Sequence, residues 1–555
     1  MNSDNMGKPS PHMPRKNQTL KHRNFSYLTW GTILVIILST AVIRIPLLPV
    51  PLERDEGEYA YMGQLILQGV PPYAEAYNMK MPGIYAAYAL LLAVFGQTHT
   101  GIHLGLLVIN LLTIILLFFL GRRLLNPFAG VVAAGSFAVM SMSRSVQGIF
   151  ANAEHFVILP AIGGILLLMR AVNSKRLLTY FLSGLLCGLA FVIKQHSGAF
   201  ILFGGLYILY HNLRYRPISW SNCTARLMLF SVGALLPFGL ACLFLWQVGV
   251  FGKFWFWAFV YSRKYISSLP LSTGVEIFVQ RISRIVNSSL ILWGLVGVGI
   301  PAFLWNKKVR PKLFFIAALL IFSFLAIAPG FFFRPHYFIL FLPVASLLAG
   351  IAGSSIFNLF SRVKSNSLKK GIPVLIVFIA LLHPIYKQRR YLFQSNLNLV
   401  SRMTYGANPF PESLEIADYI QKNSSKRDRI AVIGAEPQIC FYSKRHSATG
   451  YLYIHELLKN HEYVLRMQQE MIQEIESAKP LFIIFTNFPN SWLVEPESEK
   501  LIFSWFEQYQ REYYQLAGMV EILSPEKTVY LWREKAIGYS PRSPYWIAVY
   551  KRKET

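Results

Sequence analysis

Over roughly the first 390 residues, polar positions occur as short islands between long apolar runs at about 27–50, 102–120, 127–143, 155–170, 177–193, 197–211, 227–249, 286–304, 313–329, 336–357 and 371–386. Each run is near the length that about 30 Å of hydrocarbon demands, so the pattern predicts about eleven transmembrane helices. A further apolar stretch, Pro82 to Gly96, is too short to cross and is expected to be an interfacial or re-entrant helix. From about residue 410 charged positions become frequent and the periodicity alternates. Pro411–Asn423 and Glu456–Ala478 read as helices, and Arg429–Gly434, Leu481–Thr486 and Thr528–Trp532 as strands. The expected architecture is mainly α: a polytopic transmembrane bundle over 27–390, followed by an α/β domain over 391–555. Residues 1–26, with three prolines and the basic cluster Arg15, Lys16, Lys21 and Arg23, read as a disordered cytosolic tail.

Composition supports the membrane class, with 54% hydrophobic residues and a mean hydropathy of +0.40 over 555 residues. The net charge of +27 does not point to nucleic acid, because the basic residues fall mainly in the gaps between apolar runs. Their distribution also fixes an orientation. If Pro82–Gly96 does not cross, the clusters at 122–123, 170–176, 214–216, 307–312 and 362–370 all face the cytosol; if it crosses, all face outward. The positive-inside rule selects the first arrangement, although it leaves Lys253, Arg263, Lys264, Arg281 and Arg284 outside. The first loop, 144–154, 194–196, 250–285, 330–336 and the α/β domain are then extracytosolic, on a multi-pass plasma-membrane protein with a cytosolic N-terminus. The four cysteines lack metal-type spacing, and Ile433-Gly434-Ala435-Glu436 lacks the glycines of a dinucleotide site. Residues after 536 are basic and aromatic and are expected to lie against an anionic lipid surface.

Candidate chemistry concentrates at the outer face. Seven acidic residues lie between Asn24 and Pro411, and Glu53, Asp55, Glu56, Glu58 and Glu75 share the first loop. A carboxylate shielded from water there is expected to have a raised pKa and to accept a proton from an attacking hydroxyl, which suits Asp55 and Glu56. Basic residues should be scarce on that face, yet Lys80, Arg144, Lys194 and Arg334 stand at ends of apolar runs, as ligands for a lipid phosphate would. Taken one at a time, such cations also snorkel to headgroups. Glu154 opens a span, with a structural salt bridge, Arg144 being the candidate partner, as the alternative to a catalytic role. Together with His155 and His336 it is a candidate set for a divalent metal ion.

The first-loop acids, Asn78-Met79-Lys80-Met81-Pro82-Gly83, Asn152/Glu154, Lys194-Gln195 and Arg334-Pro335-His336-Tyr337, followed by an outer α/β tail, resemble the GT-C glycosyltransferases of the protein mannosyltransferase and aminoarabinose transferase type. The resemblance implies transfer of a sugar from a polyprenyl-phosphate donor to a lipid, glycan or protein acceptor at the outer face. It implies Asp55 as the catalytic carboxylate, with Glu56 adjacent, and Glu154 as a supporting acid. Lys80, Lys194, Arg334 and His336 would meet the donor phosphate. Lys80-Met81-Pro82 departs from the Lys-Pro-Pro usual in the aminoarabinose branch, and the Trp-Trp-Asp signature of oligosaccharyltransferases is absent. A transporter or flippase of a lipid-linked sugar is the alternative class; it would place polar groups at mid-membrane rather than at one face. A non-catalytic scaffold is the third.

Overall fold

The computed structural model describes residues 15–554, except 175, 215–218, 268 and 362, and gives no side-chain placement for 15–26 and 366. Within the tail expected to be disordered, residues 1–14 therefore lie outside the described residues, whereas the first helix begins at Arg15 and runs to Arg44. Lys175, Arg216 and Arg362 of the basic clusters also lie outside them.

All eleven apolar runs are helical or largely so, but they differ in length. Among the described residues seven helices are long and apolar enough to cross a membrane, or eight if Leu271–Ser288 and Leu290–Trp305, bent by 106°, form one broken span. The run expected at 286–304 thus belongs to a kinked pair, and three other runs form shorter helices: Pro127–Met140, Leu177–Ile193 and Gly198–Arg214. Pro82–Phe95 is a helix of 14 residues. That is about 21 Å at 1.5 Å per residue, short of the hydrocarbon thickness, and Pro127–Met140 is no longer.

The stretch read as an acidic loop is itself a helix, Arg54–Leu67. Glu53 caps it: its carboxylate accepts from the Glu56 backbone N–H at 3.2 Å, while Glu56 accepts from the Glu53 N–H at 3.0 Å. This reciprocal box satisfies two otherwise orphaned donors, and the first-turn acids complement the helix dipole.

The C-terminal part carries a six-stranded sheet of β1 (Arg429–Ile433), β2 (His446–Ser447), β3 (Phe482–Asn487), β4 (Tyr514–Ser524), β5 (Lys527–Trp532) and β6 (Trp546–Arg552). Their order is β2-β1-β3-β6-β4-β5; β1 runs parallel to β2 and β3, and the remaining pairs are antiparallel. The helix expected over 456–478 is a 3₁₀ turn, Ile454–Leu458, and a separate helix, Val464–Ala478. The expectation that the residues after 536 coat a lipid surface is overturned for β6, which sits mid-sheet with Ile547, Ala548 and Val549 fully buried. Its consecutive apolar residues are covered on both faces of the sheet, and the basic residues at its end are half-buried.

This domain docks directly on the first-loop helix. A Cβ placed on Gly57 would lie 2.6 Å from the Gln438 side chain, so only glycine permits that helix to approach the short helix Gln438–Ser443. Arg54 reaches across to the Ala435 carbonyl at 2.5 Å and to Glu436 at 3.2 Å. Tyr77 N–H donates to Gly450 O at 3.1 Å, and Glu75 meets both Arg429 and His446. One apolar cluster continues from Leu52 and Tyr59 through Tyr77 to Ile430, Ile483 and Val549. The docking holds the α/β domain as a roof over the N-terminus of the helix Arg54–Leu67.

Candidate active site

Under that roof lies a cavity of about 500 Å³. Asp55, Lys80, Lys194, Arg334 and His336 line it from the helical part, and Tyr453, His455 and Glu456 from the α/β domain. The capped helix aims Asp55 into it, with Lys80 Nζ 3.3 Å from one oxygen and the Tyr453 hydroxyl donating to the other at 3.1 Å. The loop bearing Lys80 is tied on three sides. Tyr73 OH donates to Lys80 O at 2.6 Å, Gln195 Nε2 to Met79 O at 3.1 Å, and Asn78 Nδ2 to Glu58 at 3.1 Å. Helix Pro82–Phe95 can follow so closely because Gly83 packs on the Val192 carbonyl, where a Cβ would approach to 2.4 Å. Across the cavity Lys194 is paired with Glu154 and lies 4.3 Å from the Tyr337 ring centroid. His336 Nδ1 is 2.9 Å from Gln147 Oε1, and the Arg334 guanidinium stacks near Phe332 and interacts with Tyr265.

The electrostatics reverse one expectation. Burial pushes the Asp55 carboxyl up, but the facing ammonium groups of Lys80 and Lys194 and the hydrogen bond from Tyr453 outweigh it, and the group is held well below the usual carboxylate range. For Lys80 burial disfavours the charge, yet Asp55 and Glu58 overcome this and its ammonium is stabilised. Burial instead raises Glu53, at the cap, and, one turn along from Asp55, Glu58. Glu58 is fully buried and pushed up to about 7 by burial and by Asp55, against the pull of Lys80. Burial lowers His336 to about 4, so it stands neutral, able to donate or accept one hydrogen bond.

The structure thus brings together Asp55, Lys80, Arg334 and His336, with Lys194 and Glu154 as a buried pair at the same wall. It does not bring Glu56 there. Glu56 is fully buried behind the cap, accepts from the Ala151 backbone N–H and meets His103 Nε2 at 2.9 Å, so it ties the helix to the second loop instead of facing a substrate. The partner of Glu154 is Lys194, not Arg144, whose N–H donates to Gln388 Oε1 outside the cavity. Glu154, His155 and His336 do not converge either: no group of three His, Cys, Asp or Glu suited to a metal ion occurs among the described residues. Tyr453, His455 and Glu456 were not anticipated. They follow Asp55 by some 400 residues, and nothing periodic or charged sets that short stretch apart; only the docking of the sheet reveals them.

Residues 79–239, which include Lys80, Glu154 and Lys194, match the sequence family described as dolichyl-phosphate-mannose-protein mannosyltransferase. The whole chain superposes on ArnT from Cupriavidus metallidurans bound to undecaprenyl phosphate, with a TM-score of 0.58 at 14% identity over 94% of this chain and 98% of that one. It also superposes on the oligosaccharyltransferase AglB from Archaeoglobus fulgidus, in complex with an inhibitory peptide and a dolichol-phosphate, with a TM-score of 0.53 at 11% identity over 92% of this chain and 74% of that one. No curated protein sequence matches the chain. The fold is therefore that of the GT-C membrane glycosyltransferases, as the sequence resemblance implied. Within it, the region 79–239 carries the particular likeness to protein mannosyltransferases.

Proposed function

We propose that this protein is an inverting glycosyltransferase that moves a sugar from a polyprenyl-phosphate donor to a hydroxyl acceptor at the outer face of the membrane. The observation that carries the reading is the Asp55–Lys80 pair, 3.3 Å apart at one cavity with Arg334 and His336 opposite. In this reading the donor phosphate lies between Lys80 and Arg334, which stabilise the charge that builds as the bond to the anomeric carbon breaks. Lys194, held by Glu154, adds positive field behind them. The acceptor oxygen attacks the opposite face of the sugar, and its proton passes to Asp55. Phosphate and Asp55 compete for Lys80, so donor binding restores to Asp55 part of the basicity that Lys80 suppresses. The outer-face assignment is supported by the basic clusters, which the opposite orientation would place outside. Donor class is supported by the ligands of the structural relatives, undecaprenyl phosphate on ArnT and dolichol-phosphate on AglB.

The test is transfer of radiolabel from undecaprenyl- and dolichyl-phosphate sugars in membrane vesicles. Asp55→Asn is expected to lower the rate about a thousandfold, with insertion and yield unchanged. Full activity in that variant would remove Asp55 from its role, and no transfer by the unaltered protein from any such donor would remove the reaction.

A further inference from the structure

Resting on the reading above, the donor phosphate engages Lys80 and Arg334, and one cavity residue beside them is left without a task. His336 stands two residues after Arg334, in the 3₁₀ turn Pro335–Leu340, and lines the same cavity as Gln147. Its Nδ1 lies 2.9 Å from Gln147 Oε1. An amide oxygen only accepts, so Nδ1 carries the proton of the neutral ring and Nε2 keeps its lone pair. Among the described residues nothing hydrogen-bonds to Nε2 or to the Gln147 amide nitrogen, and neither atom is sealed away from the cavity. Lys80 and Lys194 are not free to fill the gap, being paired with Asp55 and Glu154. We infer that His336 and Gln147 form a sugar-specificity subsite, which reads a hydroxyl of the donor sugar and does not hold the phosphate.

The backbone is built around that contact. Gln147 has φ 56° and ψ 34°, the left-handed region that L side chains rarely adopt. The glycine of the turn is the next residue, where a Cβ would strike the Ser141 carbonyl, so it cannot serve at 147 as well. Gly148 N–H donates to Ser143 O at 3.1 Å, and the Arg44 guanidinium donates to Ser141 O at 2.8 Å and to Gly148 O at 3.1 Å. A braced turn thus holds a strained glutamine with its amide against His336. On the other side the imidazole meets Tyr337 edge to face at 5.0 Å, and Tyr337 is packed in turn by His196 and Lys194. The pair presents one acceptor and one donor at fixed places. Phosphate oxygens only accept and are repelled by the Nε2 lone pair, whereas sugar hydroxyls both give and accept. The sugar is bonded to the phosphate through its anomeric carbon, so with the phosphate at Arg334 its ring falls beside the residue two positions on. His336 is then the specificity-determining residue, and Gln147 positions it by fixing its tautomer.

The test uses the full-length protein in membrane vesicles, supplied with radiolabelled undecaprenyl- and dolichyl-phosphate hexoses and pentoses and with the same donors lacking one sugar hydroxyl each. The unaltered protein is expected to use one deoxy donor at least about a hundredfold less well in kcat/KM than its parent, because a site built to bond a hydroxyl is left unpaired without it. In His336→Phe, which keeps a ring against Tyr337, that ratio is expected to fall to within about threefold of unity. Gln147→Gly suits the left-handed backbone and gives an answer where His336→Phe is too slow to measure; there the ratio is expected to fall at least about tenfold. The ratio is taken within one preparation, so a low yield of folded protein leaves it unchanged. Lys80→Gln, which touches the phosphate alone, is expected to slow transfer from every donor in common proportion and to keep the ratio. The same proportional loss in the His336 and Gln147 variants would assign them to the phosphate or to the fold and overturn the inference. An unaltered protein that treats every deoxy donor like its parent would overturn it too. In both cases transfer continues and the proposed reaction stands, whereas absence of transfer from every donor by the unaltered protein overturns both.

Discussion

Asp55 and Glu58 are two carboxyls on one turn with opposite fates, and the difference lies in which cations each can reach. Asp55 faces Lys80 at 3.3 Å and stays ionised; Glu58 has only neutral donors in direct contact and shares the field of Lys80 at one remove. This makes an opposite contribution to stability. Because the folded Glu58 carboxyl is raised from 4.5 to about 7, the folded state loses stability relative to the unfolded chain as pH climbs between those values. The full difference is about 3 kcal/mol at 1.36 kcal/mol per pKa step. Asp55, held low, contributes the reverse: stability present above the unfolded carboxylate pKa and lost as pH falls through the folded one. Glu58→Gln is therefore expected to gain on the unaltered protein in thermal unfolding in detergent as pH rises from 5 to 8, and equal shifts at both ends would contradict the burial argument. The identities of Asp55, Lys80, Glu154, Lys194 and Arg334 were legible in the sequence because acids are rare in the membrane region and outward cations break a strong rule. Their partners were not, since the pairing of Glu154 with Lys194 depends on how two span ends meet.

At the scale of elements, the first-loop helix was readable in principle, because Glu53-Arg54-Asp55-Glu56 places an acid three residues after an acidic cap. It was hidden by its density of charge, which reads as solvated loop until the sheet is known to cover it. Docking explains why so polar a helix is buried: Arg54 and the glycine at 57 belong to the contact with the α/β domain. Gly57→Val is expected to force that contact open by the cost of overpacking, about 1–3 kcal/mol, and to cost transfer activity by drawing Tyr453 away from Asp55. Limited proteolysis reads the change directly, as faster cleavage around 405–410 and 453–463 with normal membrane insertion. Activity and cleavage both unchanged would mean that the helix can shift without loss. The strands β4 and β6 escaped the sequence because β4 has apolar residues on both faces and β6 is marked mainly by its basic and aromatic residues.

For the whole molecule the orientation remains a matter of charge. The fold alone, with seven long helices and several short ones among the described residues, does not fix which face is outer; the proposed orientation rests on the basic clusters. Single cysteines placed at 122 and 308, in a chain whose four native cysteines are replaced, are expected to react with an impermeant maleimide only from the cytosolic side. Labelling from outside would invert the topology and move the cavity to the opposite face. The architecture was legible as bundle plus α/β domain because each part has its own period; their fusion into one apolar cluster was not, because pattern reports which faces are apolar but not which faces meet.

The position of β6 has a consequence for how the protein is made. Residues 546–552 lie between β3 and β4, strands that leave the ribosome earlier, so the sheet exists as two separate halves, β2-β1-β3 and β4-β5, until this segment has been made. The roof over Asp55 can close only then. Synthesis order itself keeps the cavity unfinished while the spans are inserting, and a chain that stops short of β6 would carry the residues of the cavity without the sheet that holds them together.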